Sequence, residues 1–137
     1  MQNYKISKKH KMERKETYAP NVVLSEIGEF CKLFDGDYIK MYSQRYQVFK
    51  KSLVCSKCKI KGQFFAKERN ANWKKDKYHR GHYHFNLYAI DKEGNEVLMT
   101  KDHIIPKSKG GSNSLKNYET MCKICNEKKS NIIEKRQ

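Results

Sequence analysis

Asp102-His103, Asn117, Asn126 and two Cys-x-x-Cys pairs, Cys55/Cys58 and Cys122/Cys125, are the residues whose types and spacing suit chemistry. A carboxylate oxygen suits a hard cation, and an amide oxygen offers a second hard ligand. A neutral imidazole, with an ordinary pKa of ~6.5, suits a general base acting on water. Together these groups are the inventory for metal-assisted phosphodiester hydrolysis. Four thiolates in two pairs make a tetrahedral structural zinc site, since a two-residue gap lets both sulfurs of a pair reach one ion. A redox pair and four buried thiols are the competing readings. The fifth cysteine, Cys31, falls in a helical pattern and reads as a buried small hydrophobe.

Taken singly, these residues say little, because an isolated histidine is usually structural. Asp102 and His103 fall at the end of a strand, ahead of Pro106. Neighbours on a strand point to opposite faces, but a bend at its end lets both serve one site. Asn126 directly follows the last cysteine, so a zinc ion would pin its backbone, with its amide oxygen facing Asp102. Asn117 fits two roles, a ligand or, better, a hydrogen-bonding brace across the loop that holds the strand end. His79, His82 and His84 form a His-x-x-His-x-His run. The cysteines already complete a zinc quartet without it, so nucleic-acid contact is its stronger functional reading, ahead of a second metal site.

The elements that must position these groups are less evenly legible. Residues 1–20 hold six lysines and arginines against two glutamates and show no period, which reads as a basic arm. Residues 21–51 read as a helical lead-in. Val23, Ile27, Phe30 and Phe34 recur at spacings of three and four, Asp35-Gly36-Asp37 breaks the pattern, and Tyr38 to Lys51 resumes it. Their aromatics are expected in the core, with base stacking as the alternative. Residues 59–80 read as a basic connection studded with aromatics, including Phe64, Phe65, Arg69, Trp73, Lys74, Lys75 and Arg80. Such interleaving suits phosphate contact and base stacking, and suits an exposed loop equally. Residues 82–90 alternate as a half-buried strand, Asp91–Asn95 signals a hairpin turn, and Glu96–Ile105 returns. A loop at 110–113, a short strand over 117–121 and a helix over 123–134 complete the order. The fold class expected is α+β, with 52–137 as the core.

The net charge of +15, from 30 Lys+Arg against 15 Asp+Glu, points to a polyanion, nucleic acid before membrane. Neither an apolar run of transmembrane length nor a signal peptide is present. The expected location is therefore cytoplasmic, where cysteines are reduced and available to metal. With 37% hydrophobic residues, the core is small and benefits from a metal staple. The short, Lys- and Asn-rich chain suits a phage or mobile-element gene.

Asp102-His103-Ile104-Ile105-Pro106, Lys107-Ser108-x-Gly110-Gly111, Asn117 and Cys122-x-x-Cys125-Asn126-x-x-Lys129 resemble the HNH endonuclease family. The subgroup is that of the zinc-knuckle ββα-metal nucleases, and Cys55-x-x-Cys58 fits its upstream knuckle. The resemblance spans roughly residues 45–130. It implies a ββα-metal core stapled by zinc, with His103 as general base, Asp102 and Asn126 as catalytic-metal ligands, and Asn117 orienting the loop that carries the base. It implies a nicking DNA endonuclease, monomeric or homodimeric, that leaves 5′-phosphate and 3′-hydroxyl ends. Lys107, Lys128, Lys129, Arg69, Lys74, Lys75 and Arg80 are the expected nucleic-acid contacts. Asn126 stands where many members carry histidine, as in the HNH domain of RNA-guided CRISPR nucleases, which is similar in this respect and active. An all-oxygen site favours Mg²⁺ or Mn²⁺. RNA as substrate and a non-catalytic zinc-stapled nucleic-acid-binding protein remain open.

Overall fold

The computed structural model describes residues 12–74 and 81–135. Among the described residues, seven strands and three α-helices follow one another: β1 (Met12–Tyr18), α1 (Pro20–Leu24), β2 (Cys31–Phe34), β3 (Asp37–Lys40), α2 (Gln44–Lys51), β4 (Gly62–Asn70), β5 (His84–Ile90), β6 (Glu96–His103), β7 (Tyr118–Cys122) and α3 (Lys123–Lys135). Five strands form an antiparallel sheet in the order β1-β4-β5-β6-β7, while β2 and β3 form a separate hairpin. The protein is thus a mixed α/β fold with a small sheet and few helices.

Residues 12–18 are an edge strand where a basic arm was expected, and the reason is charge pairing across strands. Glu13 lies opposite Arg69, and Arg14 opposite Glu68. Arg14 donates to Glu68 at 2.7 Å and to Glu96 at 2.7 Å and 2.9 Å. Charges that look solvated along the chain are partners across it. Residues 1–11 of the expected arm lie outside the described residues. The basic connection expected over 59–80 is likewise corrected, since residues 62–70 of it form β4, an interior strand of the sheet. Lys67 and Glu68 are both buried there, which hides the alternation.

The helical lead-in holds only at its two ends. Asp35 (φ 46°) and Gly36 (φ 88°) form a two-residue turn between Phe34 and Asp37. Positive φ at both positions is the signature of a primed hairpin turn, and the glycine reaches it without strain. Asp35-Gly36 therefore joins two strands instead of separating two helices. The hairpin leaves Phe30, Leu33, Tyr38 and Tyr42 exposed, where a core role was expected for the aromatics. It also leaves Cys31 exposed rather than buried.

Val23, Phe34, Ile39, Met41, Tyr46, Phe49, Phe65, Phe85, Leu87 and Met99 fill the core between the hairpin, α2 and one sheet face. β5 and β6 pair only over Tyr88–Leu98, Ala89–Val97 and Ile90–Glu96, close to their turn. Farther along, the N-terminal turn of α2 reaches β5: Phe85 N–H donates to Tyr46 Oη at 2.9 Å, and Arg45 donates to the Phe85 carbonyl. Ser43 caps α2 by accepting from Arg45 N–H at 3.3 Å. Released from β5, the far half of β6 pairs with β7 from Met99–Cys122 to His103–Tyr118.

Lys67 is fully buried and ties β1, the hairpin and β4 together. Its ammonium lies 2.7 Å from Asp37, 2.9 Å from Glu16 and 2.8 Å from the Phe34 carbonyl. This ammonium holds the Asp37 carboxyl below its ordinary range. A depressed folded-state pKa contributes stability above the unfolded value, near 4, and loses it as pH falls through the folded one. Asp37→Asn leaves the buried charge underpaired, with an expected cost of about 3 kcal/mol at neutral pH. Urea unfolding of both proteins at neutral and at acidic pH checks this. The gap should narrow as pH drops, and equal midpoints at neutral pH would contradict it.

Candidate active site

The two Cys-x-x-Cys pairs meet in space. The four Sγ atoms of Cys55, Cys58, Cys122 and Cys125 all lie within 4.8 Å of one another. A tetrahedral thiolate site with Zn–S bonds of about 2.3 Å has sulfur–sulfur edges of about 3.8 Å, and Cys58 Sγ lies 3.8 Å from Cys122 Sγ. Backbone bonds hold the first pair in its turn: Cys55 N–H donates to Ile60 O at 2.8 Å, and Lys59 N–H to Cys55 O at 3.1 Å. Ser56 N–H donates to Thr120 O at 2.9 Å, docking this turn on β7. The second pair straddles the β7–α3 junction, where Cys125 N–H donates to Cys122 Sγ at 3.4 Å.

The thiols are electrostatically unequal. Burial pushes Cys55 up, but the backbone N–H groups of Cys122, Cys58 and Lys57 outweigh it and set the thiol at about 6. Burial pushes Cys122 up to about 12 and raises Cys125 too. Four thiolates share so small a space only around a cation. Geometry and donor chemistry both fit zinc.

Asp102 and His103 sit in the regular part of the β6–β7 ladder, opposite Glu119 and Tyr118 respectively. They therefore leave the strand on opposite faces, without the bend expected of its end. On the α3 side, Lys129 donates to Asp102 Oδ2 at 2.7 Å and to the His103 carbonyl at 2.7 Å. Asn126, also on α3, donates to Thr100 Oγ1 at 2.9 Å. Thr100 and Asp102 are two residues apart on one strand, so Asn126 and Asp102 share this face. Both side chains carry oxygens of the kind a hard cation prefers. On the other side, the His103 ring lies 4.6 Å from the Tyr118 ring, and its Nε2 is 2.9 Å from Asn113 Oδ1.

Asn117 is buried and braces the loop after β6 from both ends. Its Oδ1 accepts from Ile105 N–H at 3.0 Å, while its Nδ2 donates to Ile105 O at 3.1 Å and to Ser112 O at 2.7 Å. Its carbonyl accepts from Ile104 N–H at 2.8 Å. Within the loop, a Cβ on Gly111 would fall 1.7 Å from the Ile105 carbonyl oxygen, so only glycine fits.

The expected nucleic-acid contacts separate into groups. Lys107 and Lys128 are exposed near the site, on a short 3-10 turn (Lys107–Lys109) and on α3. Lys74 is exposed and caps the Trp73 ring. Lys129 is engaged with Asp102 rather than projecting into solvent. Arg69 spends its donors on Glu13 and the Gly81 carbonyl, between the rings of Trp73 and Tyr83. Lys75, Arg80 and His79 lie outside the described residues. His82 is exposed and His84 half-buried on β5, and neither joins a metal-binding group among the described residues. Sequence reasoning missed Asn113 and Tyr118 as neighbours of His103. Counting ladder positions between β6 and β7 would have placed Tyr118, whereas nothing in one dimension marks Asn113.

A carboxylate, a braced loop and a helix-borne amide beside an imidazole call for comparison with known nucleases. Residues 91–137 match the HNH endonuclease family. The matched stretch takes in β6, β7 and α3, with Asp102, His103, Asn117 and Asn126, and excludes the Cys55–Cys58 pair. A match to an HNH endonuclease domain suggests nuclease activity in general and implies a nucleic acid as substrate. No curated protein and no solved structure matches the chain. No helix among the described residues is long and apolar enough to cross a membrane.

Proposed function

We propose that this chain is a DNA endonuclease in which β6, β7 and α3 form a ββα-metal core, within a nuclease unit spanning residues 52–137. The observation that supports it most is the joint placement of Asp102 and Asn126 on the α3 face of β6, with His103 next along the strand. A structural zinc ion is held by Cys55, Cys58, Cys122 and Cys125. Asp102 and Asn126 hold Mg²⁺ or Mn²⁺, a preference that follows from their all-oxygen donors. The bound cation supplies charge stabilisation to the scissile phosphate and its leaving oxygen.

The chain's own residues do the rest. Neutral His103 accepts a proton from the attacking water, which adds to phosphorus as the bond to the 3′ oxygen breaks, and the departing 3′ oxygen takes a proton from bulk water. The products are a 5′-phosphate and a 3′-hydroxyl. The scissile phosphate lies across the end of β6, where it meets groups from both faces. Asn117 fixes the strand end, and Lys107 and Lys128 steer the backbone toward it. One such site cuts one strand, so a monomer nicks and a double-strand break takes two subunits or two events. The enzyme works in the cytoplasm, where its thiols stay reduced.

The test is supercoiled plasmid, single-stranded DNA and RNA incubated side by side with Mg²⁺, with Mn²⁺ and with EDTA. Nicked circles with either ion and none with EDTA are expected. RNA cleavage alone would reassign the substrate, and no cleavage of any substrate would leave only a nucleic-acid-binding protein. Asn126→Ala is expected to lower the rate roughly ten- to a hundredfold, since it removes one of two protein ligands. Asn126→His should move preference toward Ni²⁺ or Co²⁺, which imidazole suits better than an amide does. Cleavage rates across a divalent-ion series check both, and an Asn126→Ala enzyme with wild-type metal dependence would remove Asn126 from the ligand set.

A further inference from the structure

We propose that Asn113 is the positioning residue for His103, and that it selects which ring nitrogen takes the proton. The inference rests on His103 being the base, as argued above. Three contacts carry it. His103 Nε2 lies 2.9 Å from Asn113 Oδ1, Tyr118 Oη donates to the same oxygen at 3.3 Å, and the Tyr118 ring packs on the imidazole at 4.6 Å. The amide is placed in turn from α2, because Gln44 Nε2 donates to the Asn113 backbone carbonyl at 3.0 Å.

An amide oxygen only accepts hydrogen bonds, and a neutral imidazole carries one N–H. The nitrogen facing Asn113 Oδ1 is therefore the protonated one, and Nδ1 keeps its lone pair. Asn113 Oδ1 has two lone pairs, and Nε2–H and Tyr118 O–H fill them. The Tyr118 ring, tilted against the imidazole at 4.6 Å, opposes rotation that would swap the two nitrogens. Nδ1 is thus the atom that receives the proton from water, and the Nε2–H bond to Asn113 steadies the imidazolium that forms. Asn113 touches neither substrate nor reacting atoms and acts through His103 alone.

The experiment reads the tautomer directly. Full-length, ¹⁵N-labelled, zinc-loaded protein without DNA gives long-range ¹H–¹⁵N correlations that distinguish protonated from lone-pair nitrogen in neutral His103. The expected wild-type pattern is proton on Nε2 and lone pair on Nδ1. Asn113→Ala should give mixed tautomers and a kcat lower by roughly ten- to a hundredfold, with KM little changed, as for loss of a residue that orients a working histidine. Asn113→Asp keeps an accepting oxygen and should retain both the tautomer and most of kcat. Backbone amide shifts of β7 and α3 that match wild type show that the loop variant is folded.

The proposal is overturned if wild-type His103 carries its proton on Nδ1, or if Asn113→Ala leaves tautomer and kcat unchanged. Failure of the base assignment reads differently: the Nε2–H tautomer is present, yet His103→Ala cuts at the wild-type rate. That result overturns the catalytic half of the proposal and leaves the hydrogen bond standing.

Discussion

Cys55→Ser and Cys125→Ser are each expected to unfold the protein at ordinary temperature. The sulfur quartet spans the turn at Cys55–Cys58 and the β7–α3 junction, which the Ser56–Thr120 backbone bond and the Thr120 Oγ1 bond to Ser52 O at 2.6 Å also join. Binding free energy at structural zinc sites is folding free energy, on the order of 10–16 kcal/mol for peptides at neutral pH, more than a small domain's whole stability. Serine is a poor substitute because its hydroxyl stays protonated where a thiolate is needed. Elemental analysis should find about one tightly held zinc per chain, as four thiolates around one ion require. A strong chelator should abolish the near-ultraviolet circular dichroism of wild-type protein, and re-added zinc should restore it. Metal-free protein with an unchanged spectrum and thermal midpoint would show that the thiols merely adjoin.

His103→Ala should remove cleavage and leave DNA binding nearly unchanged. A positioned general base is worth roughly 10²- to 10⁴-fold, and a nuclease lacking it falls to the background that its cation and binding supply. The imidazole lies against Tyr118 and Asn113 at the surface end of β6, away from the buried core, so the substitution costs little stability. Lys107 and Lys128, the proposed phosphate contacts, are untouched. Single-turnover cleavage and a gel-shift titration at one fixed salt concentration, run on the same preparation, separate the two effects. A variant that binds tenfold more weakly and cuts in proportion would mean that His103 contacts substrate and does not activate water.

The sequence reading succeeded where the chemistry is one-dimensional. Ligand spacing in a Cys-x-x-Cys pair is a local property, and the four sulfurs do come together. β5, its turn and β6 were legible because Phe85, Leu87 and Ala89 line one buried face in strict alternation. It failed where partners are distant. Glu13 and Arg69, or Arg14 and Glu68, look like solvated charge until a strand pairing joins them. Lys67 and Glu68 on an interior strand break the pattern that announces such strands. Between Val23 and Phe34 the three-and-four spacing was genuine but unused: Val23 and Phe34 are buried, while Phe30 stands exposed between them. At the site, residue types were legible and directions were not. Asp102 and His103 are neighbours in sequence with different partners on the two faces of β6, and Asn113 reaches His103 only through the fold of a loop.

Cys58 and Cys122 are 64 positions apart, and β4, β5, β6 and the braced loop all lie between them. A ribosome delivers this chain from its N-terminus. Asp102, His103 and Asn117 therefore emerge before the second cysteine pair exists, and Asn126 and Lys129 emerge after it. A nascent or prematurely terminated chain ending before Cys122 carries the imidazole and the loop but neither the helix nor the second pair of sulfurs. On the proposed reading, synthesis supplies the base and its loop before the helix that carries Asn126, so a chain cut short between them lacks one of the two proposed ligands of the catalytic cation.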